Sequence, residues 1–424
     1  MISVRAAKRL KASHMAWKEL RNLNAKQWNA VIACYLGWTL DAFDFFILIF
    51  VFPDIAQTFG VEHTSVTYAV WLTLAMRPVG AFLFGILADR FGRRPTLMFD
   101  IICYSVLGFA SGFVTSLGAL YFVRALFGIA MGGEWGVGAS LTMETIPPSA
   151  RGLISGLLQA GYPSGYLLAS VVYALLFDHI GWRGMFMIGA FPALLVLFVR
   201  SGVQESPAWL ERKPNASQIV GSVTRHLPLF IFVVLLMTAF NFYSHGTQDS
   251  YPAFLKVQHK FNSQTVGTIT AIASIGAILG GLVFGAFSQQ IGRRKAIVIA
   301  ALVSILVIPL WAFSQSPAFL AVGAFMMQFL VQGAWGVIPA HLNELSPGDV
   351  RGTFPGFAYQ LGNFFAAANL TIQAMLADHF GGNYGISMAI ISGLIGIAVA
   401  GFAGFGPQAK EVEFTNAASE GAGS

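Results

Sequence analysis

Runs of about 20 residues with little or no charge recur along the chain, near 28–52, 64–88, 95–115, 117–141, 150–176 and 183–202, and again near 227–254, 264–289, 294–314, 317–341, 352–376 and 384–406. A helix rising about 1.5 Å per residue needs that length to cross a hydrocarbon core about 30 Å thick. The pattern predicts an all-α integral membrane protein with twelve transmembrane helices in two bundles of six. The implied organisation is a cytoplasmic N-terminal segment over 1–27, a first bundle over 28–202, a cytoplasmic linker over 203–226, a second bundle over 227–406 and a cytoplasmic tail over 407–424. The tail is rich in Ala, Gly, Ser and Glu and reads as disordered.

One span breaks the apolar pattern. After the oily segment 227–240 come Asn241, Ser244, His245 and Gln248, spaced i, i+3, i+4 and i+7, with Asp249 beside them. That spacing gathers side chains on one helical face. Polar groups are costly at membrane depth, so such a face is expected to line a cavity.

The two bundles repeat one another. Gly85-Ile-Leu-Ala-Asp-Arg-Phe-Gly92-Arg93-Arg94 is echoed 200 positions later by Gly285-Ala-Phe-Ser-Gln-Gln-Ile-Gly292-Arg293-Arg294. At the same offset Trp135-Gly136-Val137 matches Trp335-Gly336-Val337, Glu144 matches Glu344, and Arg151-Gly152 matches Arg351-Gly352. The chain is a duplicated six-helix unit. In this alignment Asn241 takes the place of Asp41 and Ser244 that of Asp44, so the two stripes are expected to face each other across the centre.

Composition adds orientation. Hydrophobic residues make up 56% and charged residues 10% of the chain, far below the globular norm of about 25% charged. If both termini are cytoplasmic, the outer loops keep only Arg183, Lys256 and Lys260, and the other loop cations face inward. The net charge of +6 is then a topology signal and needs no nucleic-acid partner. Cys34 and Cys103 fall inside spans and offer neither disulfide nor metal spacing. No catalytic constellation, metal set or cofactor motif is visible, so the sequence predicts a protein that is not an enzyme.

Buried ionisable groups are functional candidates because their burial is so costly. The first bundle holds Asp41, Asp44, Arg77, Arg124 and Glu134, and the second holds His245 and Asp249. At about 1.5 Å per residue, Asp41 and Asp44 lie roughly 20–24 Å from the inner face and Arg124 roughly 9 Å below the outer face, which is one level. Arg77 and Glu134 form a second level, roughly 20–24 Å below the outer face. Either the cations are paired with those acids, or a carboxylate substrate competes for Arg124 while a proton neutralises Asp41 or Asp44. His245, with amides and a hydroxyl on its face, can hydrogen-bond a carboxylate or hold a proton itself.

The chain resembles the major facilitator superfamily through the loop from Gly85 to Arg94, through Arg124 with Gly128 and Gly132, and through Glu205-Ser-Pro207-Ala-Trp209-Leu210. The resemblance implies a monomeric transporter whose halves rock about a midplane site. It assigns Asp89, Arg93, Arg94, Glu144, Arg151, Arg293, Arg294, Glu344 and Arg351 to a cytoplasmic gate of charges that pair when that side is shut. Asp41-Ala-Phe-Asp44, Arg77-Pro78-Val79-Gly80 and Gly132-Gly133-Glu134-Trp135 resemble the sialate/lactate proton-symporter branch. The stripe from Asn241 to Asp249 is similar to the helix-7 motif of lactate/pyruvate permeases, with Ala253 departing from the Pro-Thr ending of that motif. Together these resemblances imply a plasma-membrane or bacterial inner-membrane symporter of protons with a small monocarboxylate, lactate or pyruvate first. Arg124, Asn241, Ser244, His245 and Gln248 are its expected substrate residues, Asp41, Asp44, Glu134 and Asp249 its coupling residues, and Arg77 a second intramembrane cation. The alternatives are a sialic-acid proton symporter and an uncoupled facilitator of sugars or polyols. The partners implied are the carboxylate, protons as coupling ion and the lipid bilayer.

Overall fold

The computed structural model describes residues 20–214, 216–408 and 414. The first half runs through α1 (Ala25–Phe59), α2 (His63–Phe91), α3 (Arg93–Ser111), α4 (Leu117–Thr145), α5 (Arg151–Gln159), α6 (Gly161–Ile188) and α7 (Ala193–Gly202). Two short linker helices follow, α8 (Pro207–Arg212) and α9 (Ala216–Arg225). The second half contains α10 (Leu227–Gln248), α11 (Ser263–Ile291), α12 (Arg293–Ala312), α13 (Pro317–Leu345), α14 (Phe354–Ala366), α15 (Asn369–His379) and α16 (Tyr384–Phe405). Residues 1–19 and most of the tail lie outside the described residues.

Nine helical stretches among the described residues are long and apolar enough to cross a membrane. The other three expected spans are helical too. The third is α3, whose charges Arg93, Arg94 and Asp100 lower its hydropathy. The sixth is divided between the end of α6, which bends at Gly181 in the left-handed region, and α7. The eleventh is shared by α14 and α15. The result is the expected all-α membrane fold. Outward-facing side chains such as Phe122, Leu306 and Met375 are exposed, as lipid contact requires and a water-facing surface would not tolerate in bulk.

Local sequence sets the helix starts. Asn24 and Gln27 form a reciprocal capping box at α1, with bonds of 2.9 and 3.0 Å. Asn262 caps α11 through the Thr265 N–H at 2.8 Å, and Asn383 caps α16 through the Ile386 N–H at 3.0 Å. The duplicated loops turn at Gly92 (φ 111°) and Gly292 (φ 92°), angles that disfavour any side chain.

Small residues let the helices close on one another. A Cβ on Gly132 would collide with the backbone of Arg77, one on Gly80 with that of Ile129, and one on the repeat-related Gly280 with that of Phe329, so α2/α4 and α11/α13 approach in the same way in both halves. Between the halves, α5 packs against α11 and α13, and α14 packs against α2 and α4. There Gly156 meets the Gly281 backbone, and Gly136 meets Gly356. Gly132→Val is expected to cost about 1–3 kcal/mol or more through overpacking. It should be read as a lower melting temperature in detergent; an unshifted melt would show that the α2/α4 contact does not constrain the fold.

Candidate functional site

A cavity of about 500 Å³ lies between the two halves. The first half contributes Phe45, Phe46 and Ile49 from α1, Arg77 from α2, Gln159 from α5, and Tyr162 and Tyr166 from α6. The second contributes Asn241, Ser244, His245, Gln248 and Asp249, together with Gln328, Gln332, Trp335, Tyr359 and Asn363. A smaller hollow of about 380 Å³, bounded by Tyr166, Pro252, Lys256 and Thr270, shares three of these walls and extends the cavity away from the charged end of the molecule.

The polar stripe of α10 faces this cavity and is held by its neighbours. His245 Nδ1 stands 3.0 Å from Asp249 Oδ2, and Nε2 stands 3.0 Å from Asn363 Oδ1. With an acceptor on each side the imidazole is fully satisfied when both nitrogens carry protons; rotating the Asn363 amide would suit the neutral ring. Ser244 Oγ accepts from Gln248 Nε2 at 2.9 Å and from Gln332 Nε2 at 3.0 Å. Asn241 is partly committed, donating to the Met237 carbonyl at 2.7 Å. Gln328 donates to Thr247 Oγ1 at 3.1 Å and thereby braces the same helix from α13.

The first half does not present its acids as the repeat alignment implied. Asp41 and Asp44 are fully buried and do not line the cavity, because the face of α1 toward it is Phe45, Phe46 and Ile49. Asp44 instead points between α1, Gly108 and Gly189. Arg124 is also absent from the cavity wall: its guanidinium lies 3.8 Å from the Phe127 ring centroid and 5.9 Å from that of Phe186, and none of its nitrogens has a hydrogen-bond partner among the described residues. The cation that reaches the cavity is Arg77, with Nε and Nη2 unpartnered and the Tyr359 hydroxyl in hydrogen-bond reach. Arg124 has Asp44 as its first charged neighbour, in keeping with their common depth. Glu134, expected at the level of Arg77, has the Asp100 carboxyl of α3 as its neighbour instead.

At the other end of the molecule the duplicated loops build a network across the halves. Arg93 pairs with Asp89 at 2.9 Å and Glu144 at 3.1 Å, and Glu144 also reaches Arg351 of the second half at 3.4 Å. Asp89 accepts from the Gly352 N–H at 2.7 Å and the Thr353 N–H at 2.9 Å. Gln289, which replaces the acid in the second copy, performs the matching task by accepting from the Gly152 N–H at 3.1 Å. Arg293 pairs with Glu344 at 2.9 Å. Among the described residues Arg94 and Arg294 make no bridge between the halves: Arg94 donates to the carbonyls of Val199 and Arg200, and Arg294 to those of Ala403 and Gly404, each within its own half. Glu205 lies in the linker and accepts from the N–H groups of Arg93, Arg94 and Ser206. Burial pushes its carboxyl above the usual range, and these donors oppose that shift.

The tail contributes a residue that composition hid. Phe414 is buried, with its ring centroid 3.6 Å from the Arg151 guanidinium carbon and 3.9 Å from that of Arg351. These two arginines are repeat-related and belong to opposite halves, so one ring spans the junction. Other site residues missed by the sequence reading are Asp100, Gln328, Gln332, Tyr359 and Asn363. Asp100 carried the same signal as Asp41, an acid inside an apolar span; the amides carry no charge and give no comparable signal.

The comparisons with known proteins agree with this architecture. The family model described as Major Facilitator Superfamily matches residues 34–251, and that of Sugar (and other) transporter matches 230–407. The chain belongs to the major facilitator superfamily and is a multi-pass membrane transporter, not an enzyme. It is 29% identical over 383 residues to the sialic acid transporter NanX of Escherichia coli, covering 89% of this chain and 93% of that one. It is 29% identical over 390 residues to a carboxylic acid transporter protein homolog of Saccharomyces cerevisiae, covering 85% of this chain but only 63% of that longer relative. Among solved structures it is similar to the proton:xylose symporter XylE, with TM-score 0.71 and 18% identity, over 91% of this chain and 97% of that one.

The bridging ring yields a test. In a background lacking Cys34 and Cys103, a cysteine placed by Ser155→Cys, where the Ser155 hydroxyl accepts from Ala340 N–H across the halves at 3.0 Å, reports opening of the charged end. Phe414→Ala is expected to raise its thiol-labelling rate several-fold; an unchanged rate would remove the tail from closure.

Proposed function

We propose that this protein is a proton-coupled transporter of organic acids that binds one substrate carboxylate at Arg77, working by alternating access. The observation that carries this reading is the Arg77 guanidinium at the cavity, with two unpartnered N–H-bearing nitrogens facing a second half that offers amides, hydroxyls and an imidazole. A guanidinium is suited to a planar carboxylate, and neutral donors suit the remaining oxygens of a hydroxy acid. Substrate recognition is thereby divided: charge from the first half, hydrogen bonds from Asn241, Ser244, His245 and Gln248 in the second.

Proton coupling rests on charge balance. Away from its charged end, the first bundle buries the carboxyl groups of Asp41, Asp44, Asp100 and Glu134 against the guanidinium groups of Arg77 and Arg124, and no ion pair within 4 Å joins any of these six among the described residues. Such a set favours uptake of protons onto the acids. Asp44 is the group best situated to exchange its proton against the charge of Arg124, and Asp41 against that of Arg77. Asp249, held by His245, is the acid on the cavity side. An uncoupled carrier of neutral sugars would have no use for this array.

Alternating access is served by the charged end. With cations concentrated in its loops, it is assigned to the cytoplasm, and Asp89, Arg93, Glu144, Arg151, Arg293, Glu344 and Arg351 are assigned to the gate that is shut here. Opening requires Arg351 to leave Glu144 and the Gly352 and Thr353 N–H groups to leave Asp89, which makes the junction a two-state element.

Lactate and pyruvate are the substrates that the stripe on α10 suggests. Sialic acid is a second reading, favoured by a cavity of about 500 Å³ with several amides, more than a three-carbon acid needs. Uptake of labelled lactate and of labelled sialic acid into proteoliposomes, with and without an inward proton gradient, tests both. Accumulation of one acid should rise with the gradient and fall at least 100-fold in Arg77→Ala, in keeping with about 3 kcal/mol for a buried charged hydrogen-bonding partner. Uptake indifferent to the gradient, or Arg77→Ala accumulating normally, would sink the reading. Competition by the unlabelled acid that binds tighter decides between the two.

A further inference from the structure

The first half contains a polar cluster that faces neither the cavity nor the charged end. Asp100 of α3 is fully buried and Glu134 of α4 is 1% exposed; each carboxyl is the other's neighbour, and none of their four oxygens has a hydrogen-bond partner among the described residues. No amide, hydroxyl or cation of the described residues donates to any of their four oxygens. A carboxylate is an acceptor only, so a hydrogen bond between two of them needs a proton on one. The chain makes room for this pair. Gly37 of α1 has no Cβ, and one added there would overlap Glu134 Oε1; a Cβ on Gly133 would lie 2.8 Å from Asp100 Oδ1.

We propose that Asp100 and Glu134 form a proton-binding site apart from the substrate cavity, holding one shared proton whose release and return drive the exchange of access. The proposal deepens the proton-coupled reading above by naming the carrier. With one proton the pair carries a single negative charge and the O–H···O bond holds α3 to α4. When that proton leaves to water, two carboxylates stand side by side with no other donor, and their repulsion drives them apart. The groups around the pair are Cys34 and Asp41 on α1 and Cys103 and Tyr104 on α3, with no cation beside either acid among the described residues, and the Tyr104 hydroxyl is itself buried and unpartnered.

Movement of Glu134 reaches the opposite half within two residues. Trp135 packs on Tyr359 of α14 with ring centroids 4.7 Å apart and donates from Nε1 to Gln159 at 3.2 Å. At Gly136 an added Cβ would lie 2.8 Å from the Gly356 Cα, so α4 and α14 touch there backbone to backbone. Tyr359 in turn reaches Arg77. The proton pair, the inter-half contact and the carboxylate anchor are thus consecutive in space, which gives substrate and proton a shared mechanical route.

Two measurements on the full-length reconstituted protein test this. Infrared difference spectra across a pH jump should show the band of a hydrogen-bonded protonated carboxyl, lost in Asp100→Asn and equally in Glu134→Gln. Persistence of the band in both variants overturns the shared proton, whatever the substrate proves to be. In proteoliposomes, the ratio of gradient-driven accumulation to counterflow at equal pH, measured with labelled lactate and labelled sialic acid, should fall at least tenfold in each variant. A purely structural role would lower both rates together and leave that ratio unmoved, which would also overturn the proposal. Failure of the wild-type protein to move either acid would instead count against the transport reading, with the infrared result still deciding the pair.

Discussion

The constraint on which this structure turns is the burial of charge without partners. Away from the charged end, the guanidinium groups of Arg77 and Arg124 and the carboxyl groups of Asp41, Asp44, Asp100 and Glu134 sit in one six-helix half at 0–2% exposure, and among the described residues not one salt bridge within 4 Å relieves these six. At the charged end the same residue types are treated in the opposite way: Arg93, Glu144 and Asp89 are saturated with bonds. A low-dielectric interior penalises the first arrangement and rewards the second. The contrast separates a region of unpaired buried charge from a region of saturated buried charge.

The halves divide the work further. The first half keeps nearly all the intramembrane charge, mostly behind a wall of Phe45, Phe46 and Ile49, and lets only Arg77 through to the cavity. The second half lines the cavity with amides, hydroxyls and the His245–Asp249 pair, braced by side chains from α13 and α14. Duplication supplied the common framework, and divergence at Asp41/Asn241 and Asp44/Ser244 removed charge from one copy. Where the copies must act alike, as at Asp89 and Gln289, a change of residue has kept the function, since an amide oxygen accepts a backbone N–H as a carboxylate does.

Phe414 adds a constraint that spans both copies. A ring between Arg151 and Arg351 shields two like charges whose mutual repulsion would otherwise favour separation of the halves. It comes from outside either repeat, and so breaks the symmetry of the junction.

The sequence alone determined the number of spans, the duplication and the all-α membrane class, because each rests on hydrophobic length or residue identity, which do not depend on packing. It also marked the stripe of α10 and the charged loops, since helical periodicity fixes which side chains share a face. Depth along a helix was legible too, and it correctly set Arg124 near the level of Asp44. Rotation about the helix axis was not. Whether an acid on α1 turns to the cavity or into its own bundle is decided by which neighbours fit around it, and so only the tertiary structure could hide Asp41, Asp44 and Arg124, expose Arg77 and set Glu134 beside Asp100. The same reason brought Phe414 back to the junction: a residue in a polar tail gives no periodic signal, and its place is set by contacts with side chains far away along the chain.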